Sequence, residues 1–393
     1  MSQSQPQSQP QSQLQSKLSS KLSSQAFNLV RDTFSDIPQG ELTVDYHTHL
    51  AGTGSNSCCY VNESCKSLIR HPINTIKCKV FMRKSGVTDS SKADIQYVER
   101  LVSLITEIKE AGLPWGKHML LAMDHYHDEN GVADPIKTGI YCPNDYVWEV
   151  CQANPSIFSP CVSIHPYRSD AISELNSWAD RGVKMIKWLP NSMNISLSNR
   201  KCFPFYETMQ ARGLILLVHV GDEHAVDVGI NGLNQRLGDP SQLIYPLNHG
   251  VKTIAAHFAS EGSQPNGTPN FQILAELMRD SSYKNLLFSD ISAMMTMKRC
   301  GTPLRFLLEN DELHSNLING SDYPVPVIDY IEWSIQWVAL GYITTSERLI
   351  LNEIYAVNPL LHDYVAKRLL KRVGFPSKGF PSEMFTDKLK LFS

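Results

Sequence analysis

The chain has no basic excess. Lys and Arg number 36 against 39 Asp and Glu, a formal net charge of −3. Nothing offsets a phosphate backbone, so nucleic acid is excluded as a partner. No apolar run of about 18 residues occurs, which excludes a membrane-spanning helix. The 9 cysteines contain no CxxC pair. Cys58, Cys59, Cys65 and Cys78 therefore read as ordinary thiols rather than a zinc or disulfide cluster. An odd cysteine count without a secretory leader favours a reducing compartment, and a cytoplasmic location is expected. No GxGxxG or Walker sequence follows the first strand-like run, which argues against an open doubly wound sheet.

What is present begins with two textures. Gln and Ser fill 17 of the first 26 positions, with no acid and no arginine among them. Such a segment buries too little apolar surface to offset its chain entropy, so residues 1–26 read as a disordered tail. Beyond it, a composition of 42% hydrophobic and 19% charged residues supports a large core. Eight short apolar runs recur: 42–50, 118–125, 158–166, 183–189, 214–221, 251–258, 285–291 and 316–322. Each is bounded by turn residues, as buried parallel strands are. Helical patterns separate them. Residues 92–111 carry Ile95, Val98, Leu101, Val102, Ile105 and Ile108 ahead of Gly112. Further helices are predicted over 171–181, 271–279, from Thr302-Pro303, over 327–340, and after a capping box at Thr344 and Glu347. Eight strands alternating with helices predict an α/β fold, a (β/α)8 TIM barrel, over residues 27–376. Its first βα loop is long, and residues 377–393 read as a loose C-terminal tail.

Catalytic groups of such barrels sit at the C-terminal ends of strands. The first run ends in His47-Thr48-His49, the fourth carries Lys187, the fifth His219, the sixth His257 and the eighth Asp322. One histidine at a strand end is commonly a hydrogen-bonded core residue. Ligand-type residues at the same end of five strands are a different observation. Residues i and i+2 of a strand share a face, so His47 and His49 can share one cation. His125, with Asp124 and His127, ends the second run, and His165 ends the third. Trp188, Asn191, Glu223 and His224 follow the fourth and fifth. From these, His125, His165, Trp188 and Glu223 are the candidate substrate contacts. Asp290, ending the seventh run, reads as a helix cap or an acceptor behind the ligands.

With these residues in place, the sequence resembles the amidohydrolase superfamily, in its amidohydrolase-related branch. The carrying segments are VDYHTHL, GVKMIKWLPN, LLVHVGDEHA, IAAHF and NGSDYPVP, and the likeness spans roughly residues 42–372. The resemblance implies a divalent-metal site of His47, His49, Lys187, His219, His257 and Asp322, with Zn2+ the first candidate and one or two ions bound. A carboxylated Lys187 would bridge two ions. With one ion, His257 is free for acid/base work. Asp322 and His257 are the implied catalytic residues. The implied activity is hydrolysis of a C–N, ester or lactone bond in a small molecule. Non-oxidative decarboxylation of a small carboxylic acid is the alternative, and an inactive ligand-binding barrel the second alternative. Self-association into a homo-oligomer stays open.

Overall fold

The computed structural model describes residues 17–67, 69–224, 234–328, 332–375 and 379–392. Ten strands occur among them. They are β1 (Asp45–His49), β2 (Tyr60–Val61), β3 (His118–Leu121), β4 (Ile140–Tyr141), β5 (Phe158–Val162), β6 (Met185–Trp188), β7 (Ile215–His219), β8 (Lys252–Ala256), β9 (Leu287–Asp290) and β10 (Leu317–Ile318). Eight form one parallel sheet in the order β1-β3-β5-β6-β7-β8-β9-β10. The sheet closes on itself. Tyr46 N donates to Asn319 O (3.0 Å), Asp322 N to His47 O (2.7 Å) and His49 N to Tyr323 O (2.9 Å). All eight predicted barrel strands are present, and the TIM barrel stands. The short pair β2 and β4, antiparallel over the barrel mouth, has no counterpart in the sequence reading.

Burial explains the apolar runs. Met185 and Lys187 of β6, and Ile215, Leu217 and His219 of β7, alternate with side chains packed against helices. The helix Ala93–Glu110 buries Tyr97, Leu101, Leu104, Ile105 and Ile108. Its true face is rotated from the predicted stripe, leaving Ile95 46% exposed. The capping box at Thr344 and Glu347 forms on the helix Thr345–Val357. The helix predicted over 327–340 is shorter. Among the described residues of that range only Ser334–Ala339 is α-helical, and Pro324 and Pro326 flank and enter a tight turn at Val325–Val327.

Both ends correct the boundaries drawn from composition. Residues 1–16 lie outside the described residues. Lys17–Lys21 and Ser24–Phe34 are helices, with Leu18, Leu22, Ala26 and Val30 buried. These four are spaced by four, a helical stripe that the Gln/Ser count conceals. At the other end, Phe380, Met384, Phe385 and Leu389 are buried. Val44 N donates to Phe385 O (2.7 Å) and Asn319 N to Met384 O (2.8 Å). Leu389, Leu391 and Phe392 pack on Val44, Met119, Met185 and Ile215. The C-terminal segment is thus the floor of the barrel, not a loose tail. The free-thiol expectation also fails at one pair. The helix Pro72–Lys84 folds against the turn Glu63–Cys65, and Cys65 and Cys78 are joined as a disulfide with Cα atoms 5.7 Å apart.

The seam between β10 and β1 is tight at Gly320. A Cβ there would sit 2.7 Å from the His47 Cβ, closer than packed carbons approach. Replacing Gly320 by Ala should therefore push β1 outward and cost about 1–3 kcal/mol of stability. Chemical denaturation with bound metal and after chelation checks this. An unchanged midpoint in both states would show that the seam is looser than described.

Candidate metal centre

The centre begins with an irregularity in β1. Its pairing to β3 runs Asp45 to His118 and then Thr48 to Leu120, three residues against two. This bulge turns the strand. Tyr46 packs in the lower interior layer with Met119 and Met185, while His47 and His49 both face the site above it. Asp45 fixes the bend. Its carboxylate accepts from His47 N (3.0 Å) and Ser321 N (2.9 Å), and it meets His118 Nδ1 at 3.2 Å.

Around that point the side chains converge. His47 Nε2 lies 3.2 Å from His49 Nε2 and 3.2 Å from Lys187 Nζ. Asp322 Oδ1 is 3.1 Å from His49 Nε2 and 3.6 Å from His47 Nε2. Asp322 Oδ2 is 3.9 Å from His257 Nε2. The His219 and His257 rings are 5.3 Å apart between centroids. Among the described residues, two sets of potential ligand atoms cluster: His47, His49 and Asp322, and His47, His257 and Asp290.

Asp290 decides which nitrogens face the cavity. It is fully buried, and its Oδ2 is 2.9 Å from His47 Nδ1. The carboxylate can only accept, so His47 carries its proton on Nδ1 and turns a bare Nε2 toward the centre. The other oxygen accepts from His257 N (2.9 Å) and Ser292 N (3.1 Å), and from the Ser292 hydroxyl. His257 Nδ1 lies 3.2 Å from the Ser292 carbonyl. A carbonyl also only accepts, so His257 likewise presents a bare Nε2. His219 Nε2 is buried without a hydrogen-bond partner. The bare Nε2 atoms of His47 and His257, facing the Asp322 carboxylate at 3.6 and 3.9 Å, form a donor set that fits a divalent cation.

Electrostatics agree. Burial, then the nearby Lys187 charge, pulls the His47 imidazole down to about 4. Burial likewise lowers His219, and lowers His257 well below its usual range. Neutral imidazole is the form that binds metal. Burial opposes the Asp322 carboxylate, but the facing imidazoles, His257 first, outweigh it and keep it ionised. Asp290 is also opposed by burial and held well below the carboxylate range by His47 and Ser292. Burial lowers the Lys187 ammonium, with Asp290 and Asp322 opposing.

Two centre residues sit in strained backbone. Asp322 has φ 59° and His257 has φ 55°, the left-handed region, at a cost of about 1–3 kcal/mol each. The bonds from Asp322 N to His47 O and from His257 N to Asp290 hold them there.

The structure brings together His47, His49, Lys187, His219, His257 and Asp322, and it seats Glu223 beside them, with Oε2 3.5 Å from His219 Nε2. Trp188 is a correction. Lys187 faces inward, so its neighbour points outward. Trp188 is fully buried against Phe205 and Tyr206, and its Nε1 donates to Ile164 O (2.8 Å). His165 is another. It is fully buried, with Nε2 2.8 Å from Met193 O and Nδ1 accepting from Tyr167 N (3.2 Å), so neither nitrogen is free for substrate. His125 stands half-buried under β4, stacked on Tyr141 at 3.7 Å. Asp124 is an internal acceptor for His165 N and Arg168. Ser292 escaped the sequence reading, since a serine two residues past a strand end carries no signal of its own.

No family model matches the chain, and no curated protein matches it. Similar solved structures include an uncharacterised TIM-barrel protein from Bordetella bronchiseptica, at 14% identity and TM-score 0.47, covering 82% of this chain and 99% of that one. A putative 2-pyrone-4,6-dicarboxylic acid hydrolase from Pseudomonas putida is 15% identical, with a TM-score of 0.44, covering 84% and 97%. A 5-carboxyvanillate decarboxylase from Sphingomonas paucimobilis is 11% identical, with a TM-score of 0.43, covering 84% and 98%. No helix among the described residues is long and apolar enough to cross a membrane.

The buried imidazoles make stability sensitive to acid. His165 and His362 are each pulled down to about 3 by burial. A histidine depressed in the folded state binds its proton only on unfolding, so stability is lost as pH falls below about 6.5. Each contributes a slope of about 1.4 kcal/mol per pH unit there. Asp363, raised by burial to about 6, and Glu332, raised well above its usual value, act in the opposite sense. The lowered histidines outnumber them. The melting temperature should fall steadily from pH 7 to pH 4.5, and a flat profile would mean that these rings are solvated.

Proposed function

We propose that the chain is a metal-dependent hydrolase of the amidohydrolase type, acting on a C–N, ester or lactone bond of a small molecule. The observation that carries this reading is the convergence of His47 Nε2 and His49 Nε2 on the Asp322 carboxylate, at 3.6 and 3.1 Å. His47, His49 and Asp322 would hold a divalent ion, Zn2+ first, which would supply the polarisation that makes a water acidic near neutral pH or a carbonyl electrophilic. The chain's own groups do the rest. Asp322, ionised and facing both His49 and His257, accepts a proton from water through one oxygen. It then returns that proton to the leaving group. His257 Nε2, 3.9 Å from Asp322 Oδ2, either completes the ligand set or polarises the substrate. Asp290 and Ser292 orient the rings of His47 and His257 without touching substrate.

Lys187 separates the one-ion and two-ion forms. Its burial favours the neutral amine that CO2 capture requires, and its Nζ stands 3.2 Å from His47 Nε2. Elemental analysis of purified protein and of Lys187→Met tests the bridge. Loss of one ion in the variant supports a carboxylated lysine. Equal stoichiometry assigns a single ion to His47, His49, His219 and Asp322, and leaves His257 for acid/base chemistry.

Replacing His47 and His49 together by Ala should reduce bound metal at least tenfold and abolish turnover. Full occupancy in that variant would sink the site assignment. The reaction itself is read with a panel of lactones, amides and aromatic acids, following hydrolytic product and CO2 in parallel. CO2 release without a hydrolysis product would replace the hydrolase reading with the decarboxylase one. Absence of both, in a chain that neither binds nor is stabilised by Zn2+ or Mn2+, would leave an inactive barrel.

A further inference from the structure

We propose that Cys59 and Cys142 are an oxidisable thiol pair whose disulfide staples the first loop over the barrel mouth to the second. The two sulfurs stand 3.8 Å apart. Their placement follows from the small ladder. Tyr60 pairs with Tyr141 and Val61 with Ile140, antiparallel, so one step outward sets residue 59 opposite residue 142. Asn62 N donates to Gly139 O (2.8 Å), which makes 62 and 139 a hydrogen-bonded pair. Alternation along the ladder makes 60 and 141 hydrogen-bonded too, and 59 and 142 a non-hydrogen-bonded pair. Opposed Cα atoms are closest at such pairs, about 4.5 Å apart, within the span a disulfide bridges. Side-chain rotation closes the remaining gap.

Both partners are anchored near the metal centre. A Cβ on Gly52, three residues beyond His49, would lie 2.9 Å from the Cys59 Cβ. Cys142 exchanges both backbone hydrogen bonds with Met123 at 2.9 Å, and Met123 directly precedes Asp124. A bond between the sulfurs therefore ties the chain leaving β1 to the chain leaving β3. The remaining free cysteines lie elsewhere or differ in setting, since Cys58 is exposed and Cys151, Cys161, Cys202 and Cys300 are buried singly.

The chemistry is that of a thiol pair with a hydroperoxide. The two thiols share one hydrogen bond, from Cys59 Sγ to Cys142 Sγ. The contact with Cys142 holds the Cys59 thiol below its usual value, while burial pushes Cys142 well above its own. Cys59, the more exposed of the two at 5% against 1%, is the nucleophile. Its thiolate attacks hydrogen peroxide, the O–O bond breaks, and a sulfenic acid and hydroxide result. The Cys142 sulfur then attacks Cys59 Sγ, losing its proton and expelling the sulfenic oxygen as water. Two thiols and one peroxide become one disulfide and two waters. Peroxide is small enough to reach a residue that is 5% exposed. The bond closes a loop between residues 83 apart in sequence, so it restricts the unfolded chain and raises the melting temperature.

The test uses the full chain, metal-loaded, with Cys65 and Cys78 replaced by Ser and the remaining thiols reduced, before one equivalent of hydrogen peroxide is added. Peptide mapping should recover Cys59 linked to Cys142, and the melting temperature should rise by several degrees and fall back with dithiothreitol. Cys58→Ser in this background should behave as its parent, while Cys142→Ser should give neither the peptide nor the shift. Cys59→Ala repeats the assay should that variant fail to fold. A linkage through Cys58, oxidation that stops on Cys59 as an acid, or the disulfide without a thermal shift would each overturn the staple. None of these readouts depends on the hydrolase reading.

Discussion

The hydrogen bond from Asp322 N to the His47 carbonyl, 2.7 Å long, is the joint on which the centre depends. It closes the barrel between its last and first strands. The same bond places the Asp322 carboxylate against His47 and His49 and holds Asp322 in a left-handed conformation it would not otherwise keep. Gly320 makes the approach feasible, because any side chain there would strike His47. Fold closure and assembly of the donor set are therefore one event. A barrel that failed to close would lose its carboxylate as well as its seam.

Behind that joint stands a second constraint, the burial of charge. Asp290 lies at the inner wall with no solvent exposure. A carboxylate in such a place is tolerated only when its oxygens are fully occupied. Here they accept from His47, from the His257 backbone and from Ser292. Those bonds point the free nitrogens of two imidazoles inward and fix their tautomers. The metal-ligand pattern is thus supported by a layer that donates nothing to the cavity but decides what the cavity presents.

The loops over the mouth are more constrained than their length suggests. The excursion between β1 and β3 carries its own strand, two helices and a disulfide, and it pairs with the loop that follows β3. Tyr97, on the long helix of that excursion, donates to the His49 carbonyl at 2.8 Å. The cap and the ligand-bearing strand are therefore mechanically linked, and the thiols of Cys59 and Cys142 sit at the same junction.

The sequence by itself determined the eight strands, the barrel and the six converging ligand-type residues. Short β-branched runs read as buried strands, and a histidine, lysine or aspartate at a strand end reads as facing the mouth. Alternation along β6 was legible too, and applied to Trp188 it would have sent that ring outward. Tertiary structure alone decided the rest. Only the packed barrel shows that His165 spends both nitrogens on the backbone, or that β1 bulges so that Tyr46 and His47 both face inward. Only the folded chain shows that residues 17–26 and 379–392 pack on its outer wall and floor. Composition averages over a segment and periodicity tests one element at a time. These features arise where distant segments meet, and a linear pattern carries no term for that.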